Sequence, residues 1–190
     1  MLETNDRPDV AERYATACTS SNLRVEAERG SSADVLIASG WSKSRVGGAL
    51  MRLYTEYGSF RMPPNAIGKM DAMLAMGKLV SLRQVLEIVT QYAADERIEQ
   101  PKAVAMAVVA HFLDDVCKSC NKLGKERIPG TPMLSNRSCK ACKGTGSPML
   151  PYGEAGRHVS IYIEDCVNMW RASTSKALHG RRLSVHSEAL

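Results

Sequence analysis

The chain has 190 residues, of which 44% are hydrophobic and 5% aromatic, and its formal net charge is +5. This length suits one domain, or one domain with a small attached module. No run of 18 apolar residues occurs, so we expect no membrane span, and the polar start MLETNDRPDV does not resemble a signal peptide. Scarce aromatic residues with frequent Ala and Met favour helices over sheets.

Residues 1–30 are polar and mixed in charge, and we expect a flexible N-terminal segment with one short helix from Ala11 to Thr19. A small apolar segment then runs from Ser32 to Gly40. Ser42 is a candidate N-cap for a helix that continues to Tyr57. Gly47 and Gly48 lower the propensity of this helix by about 1 kcal/mol each relative to Ala.

Two further helices are predicted before residue 98. The first runs from Ala66 to Leu79, and the second restarts at Ser81, where Ser-Leu-Arg-Gln has the form of a capping box. Apolar residues at helical spacing follow, which indicates a core-facing stripe. We therefore expect residues 31–98 to form a helical region, in which the sequence shows no identifiable chemistry.

Helices also flank the most distinctive part of the chain. One is predicted from Gln100-Pro101 to Val116, since Pro is favoured in a first helical turn, and another from Arg157 to Leu178. The predicted fold is mainly α, with a cysteine-containing loop inserted between two helices of a helix-turn-helix-like unit that spans residues 99–180. A metal in this loop would hold the angle that a helix-turn-helix needs to enter a DNA groove. Residues 181–190 are expected to form a flexible tail.

Two Cys-x-x-Cys pairs lie in that loop, and 18 residues separate Cys120 from Cys139. This spacing is typical of a four-thiolate zinc site, so we predict that Cys117, Cys120, Cys139 and Cys142 hold one structural Zn²⁺. Two disulfides are the alternative for a secreted chain, but the missing signal sequence favours a reducing cytosol. Four thiolates leave no open position for water, and no phosphate loop, HExxH or Ser/His/Asp pattern occurs, so no enzyme is expected.

The excess positive charge is concentrated around these cysteines. Between Cys117 and Gly146 there are seven cations and one anion, Glu126, which gives +6 and leaves −1 for the rest of the chain. The cations are Lys118, Lys122, Lys125, Arg127, Arg137, Lys140 and Lys143. This concentration predicts a surface that contacts nucleic-acid phosphates. The alternative is a solvated loop in which the lysines only screen the thiolates.

Three motifs together resemble the phage late-gene antitermination proteins of the lambda Q type. An Ala/Val-rich helix leads into the first cysteines (KAVAMAVVAHFLDDVCKSC), a Gly-x-Gly turn and prolines follow the second pair (CKACKGTGSPMLP), and an apolar helix with basic side chains closes the region (GRHVSIYIEDCVNMWRASTSKAL). A weaker similarity lies upstream (SSADVLIASGWSKSRVGGALMRLY), so the resemblance covers about residues 31–180. The first cysteine pair departs from the second, because Asn-Lys-Leu-Gly follows Cys120.

The resemblance implies a transcription antitermination factor in the cytoplasm of a bacterial host. Such a factor binds DNA at a phage late promoter, loads onto promoter-proximally paused RNA polymerase through contacts that include sigma factor, and suppresses pausing and termination. Residues 31–98, in which no other chemistry is identified, are the candidate surface for polymerase and sigma factor, and a Nus-type elongation factor is a further candidate partner. The candidate DNA contacts are Lys122, Lys125, Arg127, Arg137, Lys140, Lys143, Arg157, His158, Arg171 and Lys176.

Other functions fit parts of the same pattern. One is a zinc-stabilised protein-interaction module that meets an acidic protein, and another is a DNA-binding regulator without antitermination activity. Strings of the form CxxCxGxG also occur in the zinc modules of DnaJ-type chaperones. Only Cys139–Gly146 has that form here, and the chain has no His-Pro-Asp sequence.

Overall fold

The computed structural model describes residues 9–20, 32–60, 68–75, 77–128, 131 and 133–187. These residues are mainly helical, with one two-stranded sheet, which confirms the predicted fold class at this level. In chain order the elements are α1 (Val10–Thr19), α2 (Ser32–Gly40), α3 (Arg45–Ser59), α4 (Lys69–Ala75), α5 (Leu82–Asp95), α6 (Pro101–Leu113), β1 (Lys125–Arg127), β2 (Leu134–Ser138) and α7 (Gly153–Ser187). Among the described residues, no helix combines the length and the apolarity needed to cross a lipid bilayer.

The chain divides into two compact units. Unit 1 contains residues 1–85 and 162–190, and unit 2 contains residues 86–161. The chain therefore passes from one unit to the other within α5 and again within α7. The functional regions that the sequence analysis bounds at residues 30, 98 and 180 are not tested by this division and stay a prediction.

Several helix ends differ from the predicted ones. α6 ends at Leu113 rather than Val116, because the backbone of Asp114 leaves the helical region (φ −128°, ψ 78°). Residues 114–116 thus separate this helix from Cys117. α4 ends at Ala75, before the predicted Leu79, and its predicted start at Ala66 lies outside the described residues. α7 continues to Ser187, well beyond the predicted Leu178.

Trp170 of α7 is the centre of the unit 1 core and is fully buried. Its ring meets the ring of Tyr14 from α1 edge to face, with centroids 5.2 Å apart, and its Nε1–H donates to the Ser39 hydroxyl of α2 at 3.2 Å. A buried indole N–H needs such an acceptor. One side chain therefore ties α1, α2 and α7 together.

Gly47 explains how α3 packs against α7. A Cβ at this position would overlap the carbonyl oxygen of Cys166 and the Cβ of Trp170. Ser44, rather than the predicted Ser42, caps the helix: its hydroxyl accepts from the Gly47 N–H at 3.1 Å and donates to the Cys166 carbonyl at 3.0 Å. The glycine that lowers helix propensity is thus required by the close approach of two helices.

The start of α5 is held by a carboxylate from α3. Ser81 precedes α5 as predicted, but its hydroxyl and its backbone N–H both donate to Glu56, at 2.7 and 3.1 Å. Glu56 thereby satisfies an N–H group that a helix start leaves without an intrahelical partner. The start of α5 is therefore capped by Glu56 of α3, in place of the capping box that Ser81 and Gln84 were predicted to form.

Unit 2 combines the later part of α5, α6, the cysteine-containing segment and the first residues of α7. Its helices bury aliphatic side chains, namely Val89, Ala93, Val104, Ala105, Val108, Val109, Leu113 and Val159. His158 of α7 meets the ring of Tyr92 edge to face at 5.9 Å, and its Nε2 lies 3.8 Å from the Glu96 carboxylate. These contacts orient the beginning of α7 against the end of α5.

Candidate metal centre

The four predicted ligands lie together in unit 2. Their sulfur atoms all lie within 4.8 Å of one another, and each cysteine is at most 3% exposed. Among the described residues this is the one such group of three or more metal-ligating side chains. Six described cysteines are in the free thiol form, so the structure contains no disulfide between the two pairs.

The sulfur spacing fits a tetrahedral ion. Zn–S bonds of about 2.3 Å place the sulfurs of a regular tetrahedron about 3.8 Å apart. The Sγ atoms of Cys117 and Cys139 are 4.0 Å apart, and those of Cys120 and Cys142 are 3.6 Å apart. A disulfide would bring them to about 2.05 Å. The donor set therefore suits one Zn²⁺, held by all four thiolates with no position left for water.

Each Cys-x-x-Cys turn continues into a glycine four residues after its second cysteine. We call Cys117–Gly124 knuckle 1 and Cys139–Gly146 knuckle 2. The Gly146 N–H donates to the Cys142 sulfur at 3.3 Å, and the Gly124 N–H donates to the Cys120 sulfur. Backbone donors of this kind stabilise thiolates and orient them toward a metal.

The two knuckles bind each other reciprocally. The Cys139 N–H donates to the Gly124 carbonyl at 2.9 Å, and the Cys117 N–H donates to the Gly146 carbonyl at 3.0 Å. The paired cysteines are 22 residues apart in both cases. The knuckles are therefore related by an approximate twofold repeat, and the metal site lies between them.

The backbone conformations repeat as well. The left-handed positions of knuckle 1 match those of knuckle 2 in order: Asn121 (φ 49°), Lys122 (φ 67°) and Gly124 (φ 66°) correspond to Lys143 (φ 51°), Gly144 (φ 93°) and Gly146 (φ 80°). A Cβ on Gly124 would overlap the Gly144 carbonyl, and a Cβ on Gly146 would overlap the Lys122 carbonyl. Both positions thus require glycine for two reasons: the φ angle is positive, and the facing knuckle leaves no room for a Cβ.

This repeat corrects the sequence analysis, which treated the first pair as different from the second. Lys122 occupies the left-handed position that Gly144 fills in knuckle 2, so the Gly-x-Gly pattern is hidden although the turn is the same. The signal that could have revealed it is the shared form C-K-x-C-x-x-x-G in CKSCNKLG and CKACKGTG. Gly124 is therefore a site residue that the sequence pattern did not reveal, whereas Gly146 belongs to the Gly-x-Gly turn already recognised after Cys142.

Burial and backbone donors act oppositely on the thiols when no ion is bound. Burial raises the pKa of Cys120 to about 12, although the Gly124 N–H opposes this. Burial also disfavours the Cys142 thiolate, but the N–H groups of Gly146 and Gly144 donate to its sulfur and its pKa falls to about 6. Without an ion, the site therefore favours a thiolate at Cys142 and a thiol at Cys120.

The segment between the knuckles is a β-hairpin rather than the predicted loop. β1 and β2 are antiparallel, with Lys125 opposite Ser138 and Arg127 opposite Leu134, and the register is irregular between these pairs. The side chains of β2 are almost all exposed. A strand without a buried face carries no hydrophobic alternation, which is why the sequence pattern did not predict it.

The described cations of this segment all have exposed side chains, and two of them form ion pairs. Lys122 Nζ lies 3.0 Å from Asp115, and Lys140 Nζ lies 3.9 Å from Glu126. Exposed pairs of this kind contribute little to stability, so both lysines can exchange their carboxylate for another anion. Lys118, Lys125, Arg137 and Lys143 are exposed as well, whereas the side chain of Arg127 lies outside the described residues.

The remaining candidate DNA contacts are distributed over both units. Arg157 is exposed at the start of α7 in unit 2, where its neighbour His158 faces Glu96. Arg171 and Lys176 belong to unit 1, and Arg171 Nε lies 3.5 Å from the Asp9 carboxylate. The structure brings the knuckle and hairpin cations together in unit 2 but does not place Arg171 and Lys176 in that unit.

No protein-family model, curated protein or solved structure matches the chain. The resemblance to antitermination proteins is therefore one of the sequence motifs described above and has no support from these comparisons.

Proposed function

We propose that this chain is a phage transcription antitermination factor of the lambda Q type, whose DNA-contacting surface is a zinc module formed by the two knuckles and their hairpin. One observation carries the proposal: a buried four-sulfur cluster holds together a segment with seven cations and one anion. Bound Zn²⁺ would act as a structural cross-link. The proposal assigns no catalytic role to the site.

The charge and the shape of the module both favour duplex DNA. Exposed Lys and Arg side chains supply the phosphate contacts that dominate affinity for DNA. A two-stranded β-ribbon is narrow enough to enter the major groove. No aromatic residue occurs between Cys117 and Gly146, so base stacking, on which single-strand binders depend, has no support here.

The antitermination part of the proposal rests on the motif resemblance. We assign residues 31–98 as the surface for bacterial RNA polymerase and its sigma factor, with a Nus-type factor as a further partner, in the cytoplasm of the host. α6 and α7 precede and follow the zinc module in the chain, and we propose that they act as the helix-turn-helix-like pair. DNA binding at a phage late promoter would then place the factor beside paused polymerase.

The salt dependence of DNA affinity tests the binding step. If six phosphates are contacted, log K should fall with log salt with a slope of about −5, since each phosphate contributes about 0.9. Fluorescence anisotropy with a labelled late-promoter duplex measures this slope, and a random duplex of equal length is the control. Terminator read-through with purified bacterial polymerase tests antitermination. Unchanged read-through, with or without the promoter duplex, would contradict it.

A zinc-stabilised protein-interaction module is the second candidate. It is favoured by large apolar side chains that are exposed around the hairpin: Leu123 (49%), Ile128 (40%), Met133 (66%) and Leu134 (41%). Exposed apolar groups close together in space are typical of protein contacts. A shallow salt slope, together with equal affinity for the promoter duplex and the random duplex, would favour this candidate over DNA binding.

A further inference from the structure

A second helix pair, with a much shorter connection than that between α6 and α7, lies in unit 1. α2 ends at Gly40 and α3 begins at Arg45, so four residues join the two helices. α1 packs against both of them. Two helices joined by a turn of three or four residues, often with a glycine, are typical of a helix-turn-helix, in which the second helix enters the major groove of DNA.

The four-residue connection is held in place by α7. The Ser42 hydroxyl is hydrogen-bonded to the Ser173 hydroxyl, and it accepts from the Ser44 N–H at 3.3 Å. The Ser44 hydroxyl caps α3 and donates to the Cys166 carbonyl at 3.0 Å. Both serines therefore face α7, whereas Lys43 between them is exposed. These bonds fix the direction in which α3 begins.

The exposed side of α3 carries positive charge. Arg45 and Arg52 are both exposed, and their spacing of seven residues places them about two helical turns apart on one face. From Leu36 to Thr55 the chain has three cations, Lys43 and these two arginines, and no anion. Among the described residues, none of the three forms an ion pair. The face therefore suits an anionic partner.

We propose that α2 and α3 form a helix-turn-helix that binds duplex DNA, with α3 in the major groove. Arg45 and Arg52 read base edges, because an arginine side chain donates two hydrogen bonds to the O6 and N7 atoms of guanine. Lys43 contacts a phosphate beside the groove. This inference goes beyond the zinc module, since it assigns a second DNA contact in unit 1. The polymerase and sigma surface proposed for residues 31–98 then lies outside this face.

The spacing of the two arginines fits a row of base pairs. Seven residues along a helix rise about 10.5 Å, and successive base pairs are about 3.4 Å apart, so Arg45 and Arg52 reach base pairs roughly three apart. An acidic protein would also satisfy the charges. It gives no reason, however, for a short-turn helix pair whose second helix presents arginines along one face. Duplex DNA accounts for both the charge and the helix arrangement.

Selection from a library of duplexes with a randomised central segment tests the base reading. Zinc-loaded wild type should enrich sites with two guanines roughly three base pairs apart. Arg45→Ala should lose the preference for one guanine, and Arg52→Ala the preference for the other. Ala has the highest helix propensity and no base-reading group, so α3 should be retained, which circular dichroism checks. An unchanged preference at both guanines in the double variant would overturn the inference.

Affinity for the selected duplex gives a second readout. Arg45→Ala/Arg52→Ala should bind it about a hundredfold more weakly than wild type, since each lost guanine contact costs about tenfold. The matched control is Lys78→Ala/Lys102→Ala, which removes two charges at exposed positions outside this face. The control should keep the guanine preference, and the two double variants should bind random duplex alike. Equal losses on the selected duplex would mean that only net charge matters and that the inference is wrong.

The remaining outcomes separate this inference from the proposed function. If wild type binds duplexes but enriches no sequence, the base reading is wrong and the DNA-binding zinc module stands. If the arginine variants bind DNA as wild type does but no longer bind purified bacterial RNA polymerase in gel filtration, this face is a protein contact and its assignment to DNA is wrong. If zinc-loaded wild type binds no duplex at low salt, the proposed function and this inference fail together.

Discussion

Gly146→Ala is the most informative single substitution, because it perturbs the reciprocal contact between the knuckles without removing a ligand. Gly146 has φ +80°, and a Cβ there would overlap the Lys122 carbonyl of the facing knuckle. Its N–H also donates to the Cys142 sulfur, and its carbonyl accepts from the Cys117 N–H. To admit the methyl group, one knuckle must move relative to the other.

The expected magnitude has two parts. The left-handed φ angle costs an L-residue about 1–2 kcal/mol in folding stability. Displacing an outer-shell donor typically lowers metal affinity 10–100-fold, which corresponds to about 1.4–2.7 kcal/mol. Gly153→Ala isolates the first part, because Gly153 also has a positive φ (55°) but nothing within 4 Å of an added Cβ.

Zinc affinity, measured by competition with a coloured chelator, separates the two variants. Gly153→Ala should lower the free energy of unfolding but leave zinc affinity unchanged. Gly146→Ala should lower both, with at least a tenfold loss of zinc affinity. If the two variants bind zinc equally well, the reciprocal packing of the knuckles does not support the metal site and the reasoning is refuted.

Three further changes test other parts of the structure. Cys139→Ser should abolish zinc binding and unfold the zinc module, since metal binding supplies on the order of 10 kcal/mol in small zinc modules; elemental analysis and hydrogen exchange measure this. Lys140→Glu with Lys143→Glu should keep zinc but make the salt slope of duplex binding shallower by about 1.8. Trp170→Ala should lower the free energy of unfolding by about 3–5 kcal/mol in urea titrations, through lost core packing in unit 1.

Each of these changes has a result that would contradict it. A Cys139→Ser protein with full zinc occupancy would remove this residue from the ligand set. The lysine variant, which reverses two charges, is compared with Lys102→Glu, which reverses one at an exposed site on α6; an effect of Lys102→Glu half as large would mean that only net charge matters. A Trp170→Ala protein as stable as the wild type would contradict the central place of this ring in the unit 1 core.

The cysteine spacing by itself identified the four cysteines that the structure brings together. Cys117, Cys120, Cys139 and Cys142 could be named from the sequence because a Cys-x-x-Cys turn is local, and two such turns at this separation have few other uses. The helices were also predictable, since their apolar periodicity and their turn residues are read over short windows. Predicted ends such as Val116 for α6 failed by a few residues, because competing local bonds decide where a helix stops.

Only the tertiary structure decided how these parts fit together. The Gly144 carbonyl faces Gly124, and the Lys122 carbonyl faces Gly146. The shared form C-K-x-C-x-x-x-G marks the two turns as alike, but it does not specify these contacts between them. Gly47 is similar: a helix-weakening residue in the sequence becomes a requirement once α7 lies against it. Local preferences act through neighbouring residues in the chain, whereas close approach of backbones acts between segments that only the fold brings together.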